Sequence, residues 1–115
     1  MSPSQLDFLN HILSECDFII RVSKGKSRDA IQKDETLSRA LIRSLEVIGE
    51  ATKRIDDGIK QSYPLVDWKN MSRMRDRLIH HYFGVDYDIV CDTLITDIPL
   101  LAFELKRIMD IEEKR

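Results

Sequence analysis

Arg75, Asp76, His80 and Tyr82 fall within one short stretch and have the types needed to work on an anion. Arginine stays charged and offers a planar fork of N–H donors that fits a phosphate. Histidine titrates near neutrality, so it can take a proton and return one. Asp76 stands four residues before His80, one helical turn away, where a carboxylate orients an imidazole and favours its charged form. The same spacing equally describes an ordinary exposed pair. Arg73, Arg77, His80 and His81 add up to a local basic patch. No Asp, Glu and His cluster has the spacing of a metal site, and nothing in the pattern asks for a cofactor. Cys16 and Cys91 stand far apart and form no Cys-x-x-Cys pair, which argues against a disulfide framework or a zinc site.

These residues ride on a helix predicted from Trp68 to about Tyr82, capped by Asp67 and ended by Gly84. At roughly 100° per residue, Trp68, Met71, Met74, Leu78, Ile79 and Tyr82 share one broad arc, the core-facing side. Arg75 falls near the middle of that arc. A guanidinium there needs a partner, because an unpaired buried charge is costly. Glu46 and Glu50 are candidate partners for a structural ion pair; a cleft or subunit seam that holds an anion is the functional alternative. His80 lies on the opposite arc with Arg73, Asp76 and Arg77. Tyr82 returns to the Arg75 side, where plain packing with its hydroxyl at the rim suits it. His81 borders Met74 and reads as a packed histidine. Arg75 and His80 are about 140° apart around an ideal helix and do not converge on one phosphate. Either the helix loosens near His80, or two copies of the helix build one site.

The elements that must position this helix are also helical. Ser2-Pro3-Ser4-Gln5 reads as a helix start, with Ser2 as cap, Pro3 in the first position and Gln5 completing a capping box. Leu6, Leu9, Leu13, Cys16 and Ile20 carry the stripe to about Val22, and Ser27 to Lys33 suits a short helical turn. Asp34 caps a second long helix with the stripe Leu37, Leu41, Leu45, Ile48, Thr52, Ile55 and Ile59, stopping near Ser62 before Tyr63-Pro64. Gly49 in its middle costs about 1 kcal/mol relative to alanine. It would permit close helix approach, at a subunit seam or in ordinary packing within the chain. Asp86 starts a further helix, Pro99 punctuates it, and Leu100, Phe103, Leu105 and Met109 carry a last amphipathic segment. The expectation is an all-α, four- to five-helix up-and-down bundle formed by residues 1–115 as a single domain.

Bulk composition agrees. Apolar residues make up 43% and charged residues 33%, with four Gly and three Pro, which favours solvated helices over a sheet. The net charge of −2 provides no global field for nucleic acid, so any surface that binds a polyanion must be local. No basic segment followed by an apolar run opens the chain, and no apolar run approaches the ~20 residues of a membrane span. A soluble, reduced cytoplasmic setting is expected.

A family resemblance rests on these same residues. Arg75-x4-His80-x-Tyr82 resembles the Arg-x4-His-x-Tyr motif of the HepT toxins within the HEPN superfamily, with Asp76 where those relatives more often carry asparagine. Leu45-Glu-Val-Ile-Gly-Glu-Ala51, Tyr63-Pro64, Trp68, the run from Met74 through Tyr82-Phe-Gly-Val85, and Ile98-Pro99-Leu100 also resemble that family in order and spacing. The resemblance implies a dimerising HEPN-like bundle whose motif helices face a shared cleft. It implies a metal-independent endoribonuclease, the toxin of a type VII toxin–antitoxin system, with RNA as substrate. It further implies a partner antitoxin, an MntA-like minimal nucleotidyltransferase, that silences the toxin by AMPylation of the motif tyrosine, here Tyr82. Arg75 and His80 would be the catalytic pair and Asp76 an auxiliary residue. The competing reading is a non-catalytic HEPN module that binds nucleotides or pairs with a nucleotidyltransferase.

Overall fold

Helix-favouring composition, with side-chain caps from Ser2, Ser27, Asp34, Asp67 and Asp86, produces a chain whose regular structure is entirely helical among the described residues. The computed structural model describes residues 1–80 and 86–115, with the side chains of 79 and 80 outside that description. Helix α1 spans Pro3–Ser23, α2 Arg28–Lys33, α3 Glu35–Lys53, α4 Asp57–Ser62, α5 Trp68–His80, α6 Tyr87–Asp92 and α7 Ile98–Glu113. A π-helical turn, Thr93–Asp97, joins α6 to α7. Helix α3 is the centre of the bundle: α1 packs on one side and α5 on another, while α7 covers α1. The all-α bundle expected from the sequence is therefore present, with more helical segments than the four or five anticipated.

The stripe of α3 behaves as its spacing predicts. Leu41, Leu45, Ile48 and Thr52 are buried, Ile55 follows just beyond the helix, and Leu37 and Ile59 pack at the edges. Ser38, Ser44, Gly49 and Ala51 are buried too, so α3 presents small residues on both flanks of the stripe, Ser38 and Gly49 on one and Ser44 and Ala51 on the other. In α1 the stripe is rotated from the expected one. Gln5, Leu9, Ile12, Cys16 and Ile19 are buried, whereas Leu6 and Leu13 are only partly covered and Ile20 is exposed.

Three local features differ from the sequence expectation, each for a physical reason. The second long helix is broken after Lys53. The Arg54 N–H turns back to the carbonyls of Ala51 and Thr52, tightening the last turn, and Asp56 opens α4 in an extended conformation. Gln5 makes this break tolerable: its amide donates to the Arg54 carbonyl at 3.2 Å and accepts from the Asp56 N–H at 2.9 Å. That side chain therefore serves the α3–α4 corner and not a reciprocal capping box, although Ser2 Oγ does accept from the Gln5 N–H at 3.3 Å. Pro99 does not interrupt the last helix. It sits in the first turn of α7, directly after the π turn in which the Ile98 N–H reaches back to the Thr93 carbonyl. A proline lacks a donor and crowds the preceding turn, and the widened π turn ahead of it absorbs both defects. Finally, Leu100 and Phe103 face solvent, while Leu101, Leu105, Ile108 and Met109 form the buried face of α7.

The start of α5 is locked in place. Asp67 Oδ1 accepts from the Asn70 N–H at 3.0 Å, and the Trp68 indole N–H donates to the Tyr63 carbonyl at 3.1 Å. The Tyr63 hydroxyl donates to Glu112 at the end of α7, 2.5 Å away. The end of α7 thus holds the segment that launches α5. Cys16 and Cys91 are buried free thiols, and burial pushes Cys16 up to about 12. No helix among the described residues is long and apolar enough to cross a membrane.

Candidate active site

Helix α5 buries Trp68, Met71, Met74 and Leu78 and exposes Arg73 and Arg77, as the wheel predicts. Arg75 sits between the buried residues because α3 presents Gly49 to it. A Cβ built on Gly49 would lie 2.1 Å from the Arg75 Cβ and 2.8 Å from the Met71 carbonyl oxygen. The two backbones are therefore as close as a glycine permits, and the arginine stem lies across the glycine. This is close packing within one chain, which resolves the two roles left open for Gly49.

From that anchored stem the guanidinium reaches the edge of the bundle, where its side chain keeps 28% of its surface exposed. Its Nη2 lies 3.2 Å from Glu50 Oε2 and its Nη1 donates to Asp76 Oδ1 at 3.3 Å. Of the two candidate partners, Glu50 is the one used; Glu46 pairs instead with Arg43 at 3.4 Å. Asp76 is in turn held by Lys53 Nζ at 2.5 Å. The ammonium of Lys53 first, and the Arg75 guanidinium after it, hold the Asp76 carboxyl below the usual carboxylate range. A chain of charges, Glu50–Arg75–Asp76–Lys53, thus bridges α3 and α5.

The guanidinium borders an open cleft of about 360 Å³ between α1, α3 and α5. Phe8 and His11 line it from α1, Arg43, Glu46 and Glu50 from α3, and Arg54 from just beyond α3. Arg54 is a second partner of Glu50, at 3.8 Å. Around the cleft and its bridge, Arg43, Lys53, Arg54 and Arg75 face Glu46, Glu50 and Asp76, four cations to three carboxylates. A local cationic excess therefore exists on a chain whose net charge is −2. Chemically, Arg75 is an immobilised fork of donors at the edge of an open cleft, suited to the charge of a phosphate.

Helix α5 runs as α-helix through His80, so its backbone shows no loosening ahead of the histidine. The His80 side chain lies outside the described residues, as do His81 and Tyr82, so the expected Asp76–His80 pairing lies there too. Lys53, Arg43, Arg54, Phe8 and His11 were not singled out from the sequence. The Glu50–Arg54 spacing of four was legible as a helix-surface pair. The Lys53–Asp76 bridge was not, because it depends on the register between α3 and α5. No group of three or more His, Cys, Asp or Glu among the described residues is arranged to hold a metal ion.

Comparison with known proteins bears on this arrangement. A protein of Caldanaerobacter subterraneus subsp. tengcongensis, named as a candidate RNase, is 44% identical over 106 residues, covering 92% of this chain and 95% of the relative. A Methanocaldococcus jannaschii protein of the same kind of name is also 44% identical, over 91% of this chain and 88% of its own length. A protein of Thermococcus cleftensis, named as a probable ribonuclease HepT, is 36% identical over 94% of this chain and 98% of its own. No solved structure matches the chain significantly. The ribonuclease HepT-like family model matches residues 12–108, a span that holds the Gly49–Arg75 packing and the Arg75-x4-His80-x-Tyr82 motif, and the chain belongs to that family.

Proposed function

We propose that this protein is an endoribonuclease that cleaves RNA through attack of the substrate's own 2′-hydroxyl. The observation that carries the proposal is Arg75: a guanidinium fixed over Gly49, clamped by Glu50 and Asp76, yet open to a cleft. The 2′-oxygen attacks the adjacent phosphorus while His80 takes its proton. The bond from phosphorus to the 5′-oxygen breaks, and that oxygen leaves with a proton returned by histidine. Arg75 carries the negative charge that builds on the phosphoryl oxygens. The products are a 2′,3′-cyclic phosphate and a 5′-hydroxyl. Every group in this scheme comes from the chain or from the RNA, so it runs without a metal ion.

The site belongs to a homodimer in this reading. Arg75 and His80 are about 140° apart on a regular helix, so one α5 does not bring both to one phosphate. The unbroken α-helical path of α5 to His80 supports two copies facing each other. The protein acts as the toxin of a type VII toxin–antitoxin pair in the cytoplasm. An MntA-like nucleotidyltransferase silences it by moving AMP from ATP to the Tyr82 hydroxyl with release of pyrophosphate. The added bulk and negative charge compete with RNA phosphate for Arg75 and His80.

Mixing two inactive variants tests the shared site. Arg75→Ala and His80→Ala, refolded together, regenerate one complete site in each mixed dimer if arginine and histidine come from different subunits. Recovery of cleavage in the mixture is expected; no recovery, with mixed dimers verified by mass spectrometry, would place both residues of a site in one chain.

A further inference from the structure

The exposed side of α7 and the loop before α5 form an apolar face that no other part of the chain covers among the described residues. Leu100 and Phe103, one turn apart on α7, are 63% and 66% exposed, and Leu65 is 75% exposed. Leu65 and Leu100 flank a cleft of about 110 Å³. Single exposed leucines are unremarkable on a protein surface, but large apolar residues gathered around one cleft mark a contact surface. The cleft floor is formed by buried apolar residues of α5 and α7, Met71 and Leu101.

The rim decides what can sit there. Asp67, Asp97 and Glu104 line the cleft; Arg107 pairs with Glu104 at 2.8 Å, so Asp67 and Asp97 carry the negative charge of the rim. Asp97 accepts from the Asn70 side-chain amide at 3.1 Å, which orients the carboxylate without neutralising it. Asp67 is likewise oriented by capping α5. RNA phosphates are repelled by such a rim. A second copy of this chain docking face to face would set each acidic rim against itself, because a twofold interface pairs a patch with the same patch.

We propose that this face docks a basic amphipathic helix of a partner protein. One aliphatic side chain of that helix enters the cleft, its neighbours cover Leu65, Leu100 and Phe103, and flanking Lys or Arg residues meet Asp67 and Asp97. The cleft shares no lining residue with the one beside Arg75, so the partner can be seated without covering Arg75.

The probe is a synthetic peptide of about five helical turns with leucines on one face and lysines on the other. Its controls are the same composition scrambled and a leucine–glutamate counterpart. Titration into the isotope-labelled full-length protein should move the Asn70 side-chain amide and the methyls of Leu65, Leu100 and Leu101, with saturation. Affinity should fall about tenfold in Leu100→Asp, as for a central apolar contact, and also weaken in Asp97→Asn and with added salt. Leu100 is exposed, so the variant should keep its circular dichroism and its RNA cleavage. Equal binding of the scrambled or glutamate peptide, shifts confined to another face, or no binding would overturn the proposal. So would displacement of the peptide from this face by RNA. Dissociation of a homodimer by Leu100→Asp in sedimentation would assign the face to a second copy and overturn it as well.

Discussion

Replacing Gly49 with alanine perturbs the centre of the site through a single methyl group. The new Cβ would stand 2.1 Å from the Arg75 Cβ, 2.8 Å from the Met71 carbonyl oxygen and 3.0 Å from the Arg75 Cγ. Carbon atoms in good contact need about 3.5–4.0 Å, so the shortfall at the closest pair is about 1.5 Å. None of the three atoms is the loose end of a side chain. One is backbone and two belong to the root of an arginine whose own helix is packed on both sides of it. Helices α3 and α5 must therefore separate or slide. Overpacking of this kind costs about 1–3 kcal/mol, against about 1 kcal/mol gained from alanine's better helix propensity. The net expectation is a loss of up to about 2 kcal/mol in urea unfolding. The activity effect should be larger. Moving α5 carries the guanidinium away from Glu50, and a displacement of about 1 Å in a positioned group can cost about a hundredfold in rate. A Gly49→Ala protein that gained about 1 kcal/mol of stability and cleaved RNA at the parental rate would refute the close approach and its role in placing Arg75.

Three further perturbations follow from named contacts. Arg75→Ala removes ion pairs from a partly exposed position, where each is worth about 0–1 kcal/mol, so the variant should fold with a melting temperature lowered by about 5 °C yet cleave no RNA. A globally unfolded variant in circular dichroism would point to a purely structural arginine. Gln5→Ala leaves the Arg54 carbonyl and the Asp56 N–H without their side-chain partner and should cost about 2 kcal/mol in chemical unfolding; an unchanged midpoint would show that the corner does not depend on that bridge. Asp76 gives a pH dependence of defined sign. Its carboxyl is depressed in the folded state by Lys53 and Arg75, so the folded protein binds that proton less readily than the unfolded chain. Its stabilising effect is full above the unfolded value of about 3.9 and is lost as pH falls through the lower folded value. Asp76→Asn should flatten the acid limb of the melting-temperature profile below about pH 4, and parallel profiles for the two proteins would contradict the assignment.

The α3 stripe and the buried arc of α5 were legible because long apolar periodicity leaves a helix little choice of face. Arg75 was legible as an anomaly, and Glu50 as one of two partners for it. What the spacing could not supply was the reason the anomaly is tolerated, since that lies in the register that sets Gly49 over Arg75. The same register decides that Asp76 meets Lys53. Gln5 looked like a capping partner for Ser2 because only local bonds are visible in a sequence, yet its side chain serves a corner some fifty residues away. The sequence reading places Leu100 and Phe103 in one segment with Leu105 and Met109. Yet Phe103 and Leu105 stand two residues apart, about 200° around a helix, and the spacing that α7 buries is that of Ile98, Leu101, Leu105 and Ile108.

The central claim is that Arg75 and His80 cleave RNA by way of its 2′-hydroxyl. The direct measurement is incubation of the purified protein with a single-stranded RNA in excess chelator, beside the same RNA bearing a 2′-deoxy group at the cleaved position, with product ends read by mass spectrometry. The parental protein should cut the all-ribose RNA to a 2′,3′-cyclic phosphate and a 5′-hydroxyl, leave the 2′-deoxy position intact, and lose all cleavage in His80→Ala with its fold unchanged. Cleavage at the 2′-deoxy position, or full activity in His80→Ala, would contradict it.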